Sequence, residues 1–151
     1  MEALSVKSVP EINIYVRFFE TDAAGHVNNI SYYIYLEEAR TKFFEYCHID
    51  KIRKNFKEKL HFMIASSKCE YYKQVYAKQN LKLNSKITRI GTKSFTLEHD
   101  IMYEETREKV ATGSAVIVCY NLETQKSVKI PPSILSVLEQ YLIVNEYNSI
   151  K

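Results

Sequence analysis

The sequence predicts an α+β domain in which a curled antiparallel sheet of about five strands wraps around one long helix. Two observations predict this class. Apolar residues alternate with polar residues in several separate stretches, and in two others they recur at three- and four-residue spacing. Most of the strand-like stretches also follow one another closely after the long helix. Their connections are too short for parallel crossovers, so the strands are expected to be antiparallel.

The first two elements are a strand and the long helix. In residues 12–18 every second side chain is apolar, and a polar loop around Gly25 follows. From about Asn29 to Cys47 the spacing becomes helical, with an apolar stripe made by Tyr32, Leu36, Ala39, Phe43 and Cys47 and widened by Tyr35 and Tyr46. So wide an aromatic face does not suit a helix that lies on the surface. The rest of the chain is therefore expected to wrap it.

Four more strands and a second helix complete the prediction. The strands lie within residues 63–71, 81–87, 95–103 and 110–120, separated by turns that include Gly91 and residues 104–107. The last of them is apolar or small on both faces, which is typical of a strand in the centre of a sheet. After Pro132, apolar residues at helical spacing predict a C-terminal amphipathic helix.

Length and composition narrow the class of protein. A chain of 151 residues favours one domain, residues 1–151, and 46% apolar with 26% charged residues is globular. No stretch approaches about 18 uninterrupted apolar residues, so no stable membrane insertion is expected. The N-terminus has no signal-peptide pattern, which favours a cytoplasmic protein. A net charge of +3 is too small to indicate nucleic acid as a partner.

Cysteines, metal ligands and basic residues add little chemistry of their own. Cys47, Cys69 and Cys119 lie far apart in apolar stretches, which favours buried thiols in a reducing compartment. No His, Cys and Asp spacing fits a zinc site, and Gly25 forms no phosphate-binding motif, so no metal and no cofactor are expected. The basic residues within 51–59 are interpreted as a solvated loop, with contact to an anionic ligand group as the alternative.

The stretch FFETDAAGHVNN, residues 18–29, is the candidate site. The start of a helix presents about four unpaired N–H groups, which can stabilise the oxyanion that forms when a carbonyl is attacked. Asn28, Asn29 and Ser31 are plausible caps of this helix. Asp22 precedes it on a short loop, which is expected to bring the carboxylate close to those donors. Such a pair suits acyl transfer, with the acid attacking the carbonyl or activating water.

The same residues also have purely structural interpretations. Aspartates commonly cap turns, and a single loop histidine such as His26 is more often structural than catalytic. Asn28 and Asn29 are typical cap residues. The residues alone therefore leave both interpretations open.

A family resemblance favours the catalytic interpretation. The stretch VRFFETDAAGHVNNISYYIYLEEAR, residues 16–40, resembles the signature of the hotdog-fold acyl-CoA thioesterases of the 4-hydroxybenzoyl-CoA thioesterase-like family. Weaker similarity at residues 70–72, 91–99 and 131–134 extends it over nearly the whole chain in the same order. The resemblance implies a hotdog fold, pairing through sheet edges into a homodimer or homotetramer, and active sites between subunits.

The resemblance also implies residue roles. Asp22 matches the catalytic carboxylate, acting as nucleophile or general base, and Asn29 matches the position whose backbone N–H belongs to the oxyanion site. Some relatives carry histidine at that position, so a mechanism that needs an imidazole at residue 29 is not expected here. His26 is assigned a positioning role. The expected substrate-binding residues are Asn28, Tyr32, Ile64, Ala65 and Ser66, the last three on the strand that borders the acyl pocket.

The sequence departs from the family after residue 72. The stretch KQVYAKQN lacks the proline and the Gly-Asp turn of many relatives, which changes the loop and the CoA end of the pocket. The predicted function is hydrolysis of an acyl-CoA to free acid and CoA, with lysines in residues 51–59, Lys68, Lys73 and Lys93 as candidates for the CoA phosphates. The alternatives are a thioesterase acting on acyl-carrier protein and a non-catalytic acyl-CoA-binding module. A dehydratase is less favoured, because it needs a His and acid pair on the acyl chain.

Overall fold

A computed structural model describes residues 7–56 and 59–143. Predictions that fall on residues 1–6, 57–58 and 144–151, including two members of the basic stretch and both ends of the predicted domain, lie outside the described residues. Beside one turn of 3₁₀ helix at Phe18–Glu20, the elements in chain order are β1 (Ile12–Tyr15), α1 (Asn29–Tyr46), α2 (Ile49–Lys54), β2 (Leu60–Tyr71), β3 (Asn80–Leu83), β4 (Lys86–Ile90), β5 (Ser94–Tyr103), β6 (Lys109–Asn121), β7 (Lys126–Ser127) and α3 (Pro132–Gln140).

The strands form one antiparallel sheet in the order β1-β3-β5-β6-β2, with β4 also paired to β5 and β7 to β6. The predicted α+β class and hotdog fold are confirmed. As predicted, β6 lies inside the sheet, between β5 and β2. The turn at Gly91 and the hairpin before β6 are also present. At the far side of the sheet β2 pairs only with β6, so its other edge is open among the described residues.

The long helix α1 packs its predicted stripe into the sheet. Tyr35, Ala39 and Phe43 are at most 2% exposed, and the other predicted stripe residues are buried, with one exception. Tyr46, the last residue of α1, is 49% exposed, so its assignment to the buried stripe is wrong. A Cβ at Gly113 would lie 2.3 Å from Leu36 Cδ1, so the missing side chain allows α1 to approach β6 closely.

The predicted strand over residues 81–87 is two strands, β3 and β4, both paired with β5. The strand breaks at Asn84 and Ser85. Asn84 Oδ1 accepts from Asp100 N at 2.9 Å, and Asn84 N donates to Asp100 O at 3.2 Å, so an amide side chain replaces part of the ladder. This break, together with the two-residue β7, accounts for seven strands in place of about five.

The remaining helices cover the other end of the sheet. Pro132 is the first residue of α3, as predicted, and Ile134 and Leu138 on its inner face are fully buried. The basic stretch predicted as a loop instead begins with the short helix α2, because Ile49 is fully buried and anchors it. Within the described residues, no helix is both long and apolar enough to cross a membrane.

Candidate active site

The start of α1 is capped as its sequence predicts. Asn28 is the cap residue, and its Oδ1 accepts from Ser31 N at 2.8 Å. Asn29 is the first helical residue. The first N–H groups of a helix have no partner within it, so those of Asn29 and Ile30 are available to a ligand, since no described residue accepts from them.

The loop before the helix is closed by backbone hydrogen bonds. Asn28 N donates to Glu20 O at 2.9 Å, and Val27 N donates to Val75 O at 2.8 Å. Between them the chain reverses through a turn in which Gly25 has a φ of 82°, the left-handed region that favours glycine. The loop therefore has a defined shape that fixes where Asp22 stands relative to the helix.

Asp22 is exposed in this chain. Its Oδ1 accepts from Ala24 N at 2.9 Å and from His26 N at 3.3 Å, so one carboxylate oxygen holds the turn. Oδ2 makes no hydrogen bond to any described residue. The predicted approach of this carboxylate to the helix-start donors is not seen as a direct contact, because both of its hydrogen bonds go to its own turn. The catalytic role of Asp22 therefore stays a prediction.

The backbone of His26 is hydrogen-bonded to Asp22, and its side chain packs against Tyr76. Its ring lies edge-on to Tyr76, with ring centroids 5.0 Å apart, and its backbone forms a bridge to the same residue. These contacts fix the loop against the segment before β3. They are compatible with the positioning role predicted for His26, which no contact here tests.

Glu20 is a residue whose importance the sequence analysis missed. It is 3% exposed, and its carboxylate accepts from Arg17 N at 2.8 Å, from Arg17 Nη2 at 2.7 Å and from Tyr35 Oη at 2.9 Å. Burial acts to raise the pKa of Glu20, but hydrogen bonds from Arg17 and Tyr35 outweigh it and lower that pKa. The one available signal was an arginine three residues before an acid at the end of a strand.

A cavity of about 420 Å³ opens at the start of α1. Two of the predicted site residues, Asn29 and Tyr32, line it, together with Val27, Tyr71, Tyr72, Lys73 and Gln74. The hydroxyl of Tyr71 donates to Asn29 Oδ1, and the ring of Tyr71 lies edge-on to Tyr32 with centroids 4.9 Å apart. Burial raises the pKa of Tyr32 to about 12 and also raises that of Tyr71, so both phenols keep their protons at neutral pH.

The predicted pocket strand lies farther along β2. Ile64, Ala65 and Ser66 are exposed and do not line the cavity at the helix start. The pairing of β2 with β6 shifts between Ile64 and Ser66, which makes Ala65 the extra residue of a bulge. Ile64 lines a second cavity beside the middle of α1. The structure thus brings Asn29 and Tyr32 together, with Asn28 as the cap beside them. Asp22, His26 and the predicted β2 residues do not line the cavity at the helix start.

The fold is that of a hotdog-fold thioesterase-like protein. Residues 16–138 match the model of the thioesterase-like superfamily, and the chain belongs to that superfamily.

Particular relatives are consistent with this. The chain is 34% identical to the uncharacterized protein YsmA of Bacillus subtilis, over 75% of this chain and 74% of that one. It is 28% identical to the long-chain acyl-CoA thioesterase FadM of Escherichia coli, over 86% and 97% of the two chains. The crystal structure of the probable thioesterase YbaW from Escherichia coli is similar with a TM-score of 0.75 at 25% identity, covering 88% of this chain and 98% of that one.

Proposed function

We propose that this protein hydrolyses an acyl-CoA thioester to a free acid and CoA. One observation carries the proposal: Asp22 keeps a free carboxylate oxygen on a rigid turn directly before a helix whose first residue, Asn29, lines a cavity of about 420 Å³. The similarity to an enzyme described as a long-chain acyl-CoA thioesterase supports the substrate class.

The proposed reaction places the thioester carbonyl at the start of α1. In one route Asp22 removes a proton from a water molecule while the oxygen of that water attacks the carbonyl carbon. In the other route the Asp22 carboxylate attacks the carbonyl carbon itself, and water releases it in a second step. The N–H of Asn29 donates to the developing oxyanion, and the C–S bond then breaks as the CoA sulfur leaves as a thiolate that takes up a proton. Loss of one oxyanion donor typically lowers the rate on the order of 10²–10³-fold.

The proposal includes a homodimer or homotetramer in which a second copy covers the site. Beside the site, Phe18, Phe19 and Ile30 are 85%, 72% and 71% exposed, and Ile34 is 53% exposed one helical turn further on. Apolar side chains this exposed mark an interaction surface. The end of β2, the strand whose outer edge is open, also lies beside the site, because Tyr71 donates to Asn29 Oδ1. A second copy that pairs with this edge would cover the Asp22 side chain, which is exposed to solvent in the single chain.

The CoA moiety is proposed to leave the cavity past Tyr72, Lys73 and Gln74. Lys73 was among the predicted phosphate ligands. It pairs with Glu108 at 3.0 Å, an exposed ion pair that a phosphate can displace. The free thiols of Cys47, Cys69 and Cys119 support a reducing compartment, and we place the enzyme in the cytoplasm.

Two alternatives use the same cavity. An acyl-carrier-protein thioesterase would take the same phosphopantetheine arm from a protein, and a binding module would hold acyl-CoA without cleaving it. The Asp22 carboxylate, whose Oδ2 has no hydrogen bond to a described residue on the turn before α1, favours catalysis over binding alone.

The test is a panel of acyl-CoA substrates from acetyl to palmitoyl, with benzoyl types, read out as released thiol. We expect at least one to be hydrolysed with kcat/KM above that of the matched acyl-carrier-protein thioester. Tight acyl-CoA binding without thiol release would establish the binding module, and faster cleavage of the carrier-protein thioester would establish the other alternative.

A further inference from the structure

A second cavity, of about 180 Å³, lies beside the middle of α1, against β2, β5 and β6. None of its lining residues lines the cavity at the helix start. Its wall is partly apolar, with Leu36 and Ile64 among its members, but it also contains Arg40 and His99. A guanidinium and an imidazole at a small, partly apolar cavity beside the central helix need a physical explanation.

Arg40 has no anionic partner of its own. Its side chain is half-buried, and burial lowers its pKa, with only a longer-range attraction from Glu37 in the opposite direction. No carboxylate among residues 7–56 and 59–143 lies within ion-pair distance of it. By contrast, Arg17 and Arg107 each reach a carboxylate oxygen at 2.7 Å. A guanidinium withdrawn from water and left unpaired favours an anion in the adjacent space.

His99 presents its second ring nitrogen to the same space. The ring is 2% exposed, and its Nδ1 lies 3.0 Å from Asn84 O and 2.9 Å from Ser85 Oγ. Because a carbonyl oxygen only accepts, Nδ1 carries a proton and the neutral ring has its lone pair on Nε2. Among the described residues, every fully buried side-chain nitrogen or oxygen has a hydrogen-bond partner. Since the hydrogen bonds of the His99 ring involve Nδ1, Nε2 is not fully buried, and we infer that it is accessible from the cavity that His99 lines.

One hydroxyl group adds to the polar side of the cavity. Ser67 on β2 pairs with Ala115 on β6, so its side chain is on the face of the sheet that lies toward α1, whereas the side chain of Ser114 is on the opposite face. A hydroxyl can donate to an oxygen anion, as can each N–H of the Arg40 guanidinium. Glu37, which lies one helical turn before Arg40, is exposed and also lines the cavity, so the polar surface combines the donors of Arg40 and Ser67 with one carboxylate.

We propose that this cavity binds a carboxylate group carried on a short apolar stem. The carboxylate lies against Arg40 with Ser67 as a further donor, and the stem lies against Leu36 and Ile64. Because the lone pair on His99 Nε2 would repel an anion, the carboxylate lies beside that nitrogen only with a proton shared between them. A free carboxylate and the far end of an acyl chain share this chemistry. Arg40 follows Asn29 by eleven residues on the same helix, about 16 Å, and its side chain extends back toward the helix start. An acyl chain whose thioester lies at Asn29 and whose far end is a carboxylate could therefore reach Arg40. This source of the carboxylate rests on the proposed function.

Butyrate is the probe for binding, and its neutral isostere butyramide is the control ligand. In an NMR titration of the whole protein, we expect butyrate to shift the His99 ring nitrogens and butyramide to leave them in place. Arg40→Met is expected to weaken butyrate binding at least tenfold. Lys42→Met removes an exposed lysine on the same helix and should change it less than twofold. If Arg40→Met does not fold, Arg40→Gln is the second neutral variant.

Three results would overturn the proposal. They are equal shifts from butyrate and butyramide, unchanged butyrate affinity in a folded neutral Arg40 variant, and a changed oligomeric state in that variant. The last result would mean that Arg40 pairs with a carboxylate of a second copy instead of a ligand.

The source of the carboxylate is decided by hydrolysis of two ten-carbon substrates, sebacoyl-CoA and decanoyl-CoA. If the cavity reads the end of the acyl chain, Arg40→Met lowers kcat/KM for sebacoyl-CoA at least tenfold and for decanoyl-CoA less than twofold. If Arg40→Met changes kcat/KM by the same factor for both substrates, Arg40 does not recognise the end of the acyl chain. The carboxylate that binds in the cavity is then that of a separate small molecule. If wild type cleaves no thioester at all, the proposed function fails, while the butyrate titration still decides whether the cavity binds a carboxylate.

Discussion

Two carboxylates two residues apart, Glu20 and Asp22, have opposite surroundings. Glu20 is 3% exposed and accepts hydrogen bonds from Arg17 and from Tyr35 on the central helix. Asp22 is exposed, and only its Oδ1 is engaged, by backbone N–H groups of its own turn. The first carboxylate joins the loop to the helix, and the second is carried by that loop with an oxygen free for chemistry.

The difference teaches how this loop divides its work. A carboxylate whose lone pairs all meet donors lowers its own basicity and stabilises the fold. A carboxylate with one oxygen that accepts no hydrogen bond from the protein keeps its reactivity but contributes little to stability. The following substitutions test this division, from the largest expected effect to the smallest.

Asp22→Asn is expected to lower kcat/KM for the best acyl-CoA substrate about 10³-fold, the range for loss of a general base or nucleophile. An asparagine Oδ1 can still accept from Ala24 N and His26 N, so the turn should persist and the urea midpoint should not change. Asp50→Asn, at a half-exposed acid on α2, is the control and should leave both quantities unchanged. A folded Asp22→Asn variant with activity near wild type would show that the roles are assigned wrongly.

Glu20→Ala is expected to lower the free energy of unfolding by about 2–4 kcal/mol, because it leaves Arg17 N and the Tyr35 hydroxyl without their acceptor. Urea denaturation at pH 7 measures this. Glu123→Ala, which removes an exposed partner of Lys59, should cost less than about 0.5 kcal/mol. Equal losses in the two variants would contradict the structural role of Glu20.

The pH dependence of stability sharpens the same contrast. The pKa of Glu20 in the folded protein is below its ordinary value. At acidic pH its carboxyl group therefore binds fewer protons in the folded protein than in the unfolded protein. Its contribution is therefore complete above the ordinary carboxyl pKa of about 4.3 and is lost as the pH falls through the folded-state pKa. The difference in unfolding free energy between wild type and Glu20→Gln should be constant from pH 7 to 5 and shrink toward pH 3. A gap that widens on acidification would contradict this.

Asn28→Ala has the smallest expected effect, about 1 kcal/mol of unfolding free energy, because it removes the acceptor for Ser31 N at the start of α1. Asn28→Asp keeps an equally good cap and should retain stability. Its added negative charge beside the proposed oxyanion donor at Asn29 should nevertheless lower kcat. If Asn28→Asp were as unstable as Asn28→Ala, the cap would not explain the loss.

Much of the site was predictable because it is local in sequence. The cap at Asn28, the turn at Gly25 and the helix beginning at Asn29 follow from residue types within a few positions of one another. The burial of Glu20 was not predictable, because its partner Tyr35 lies fifteen residues later and joins it only when α1 packs. The lining residue Tyr71 was likewise hidden, since it reaches Asn29 across 42 residues.

The sequence by itself determined the order of the elements, the buried stripe of α1 and the central place of β6, because period and polarity act between near neighbours. Only the tertiary structure decided where the strand breaks at Asn84, which of the two acids is free and which polar groups meet beneath Arg40. Those outcomes depend on packing between segments far apart in the chain, where burial and hydrogen bonding to a distant partner outweigh local preference.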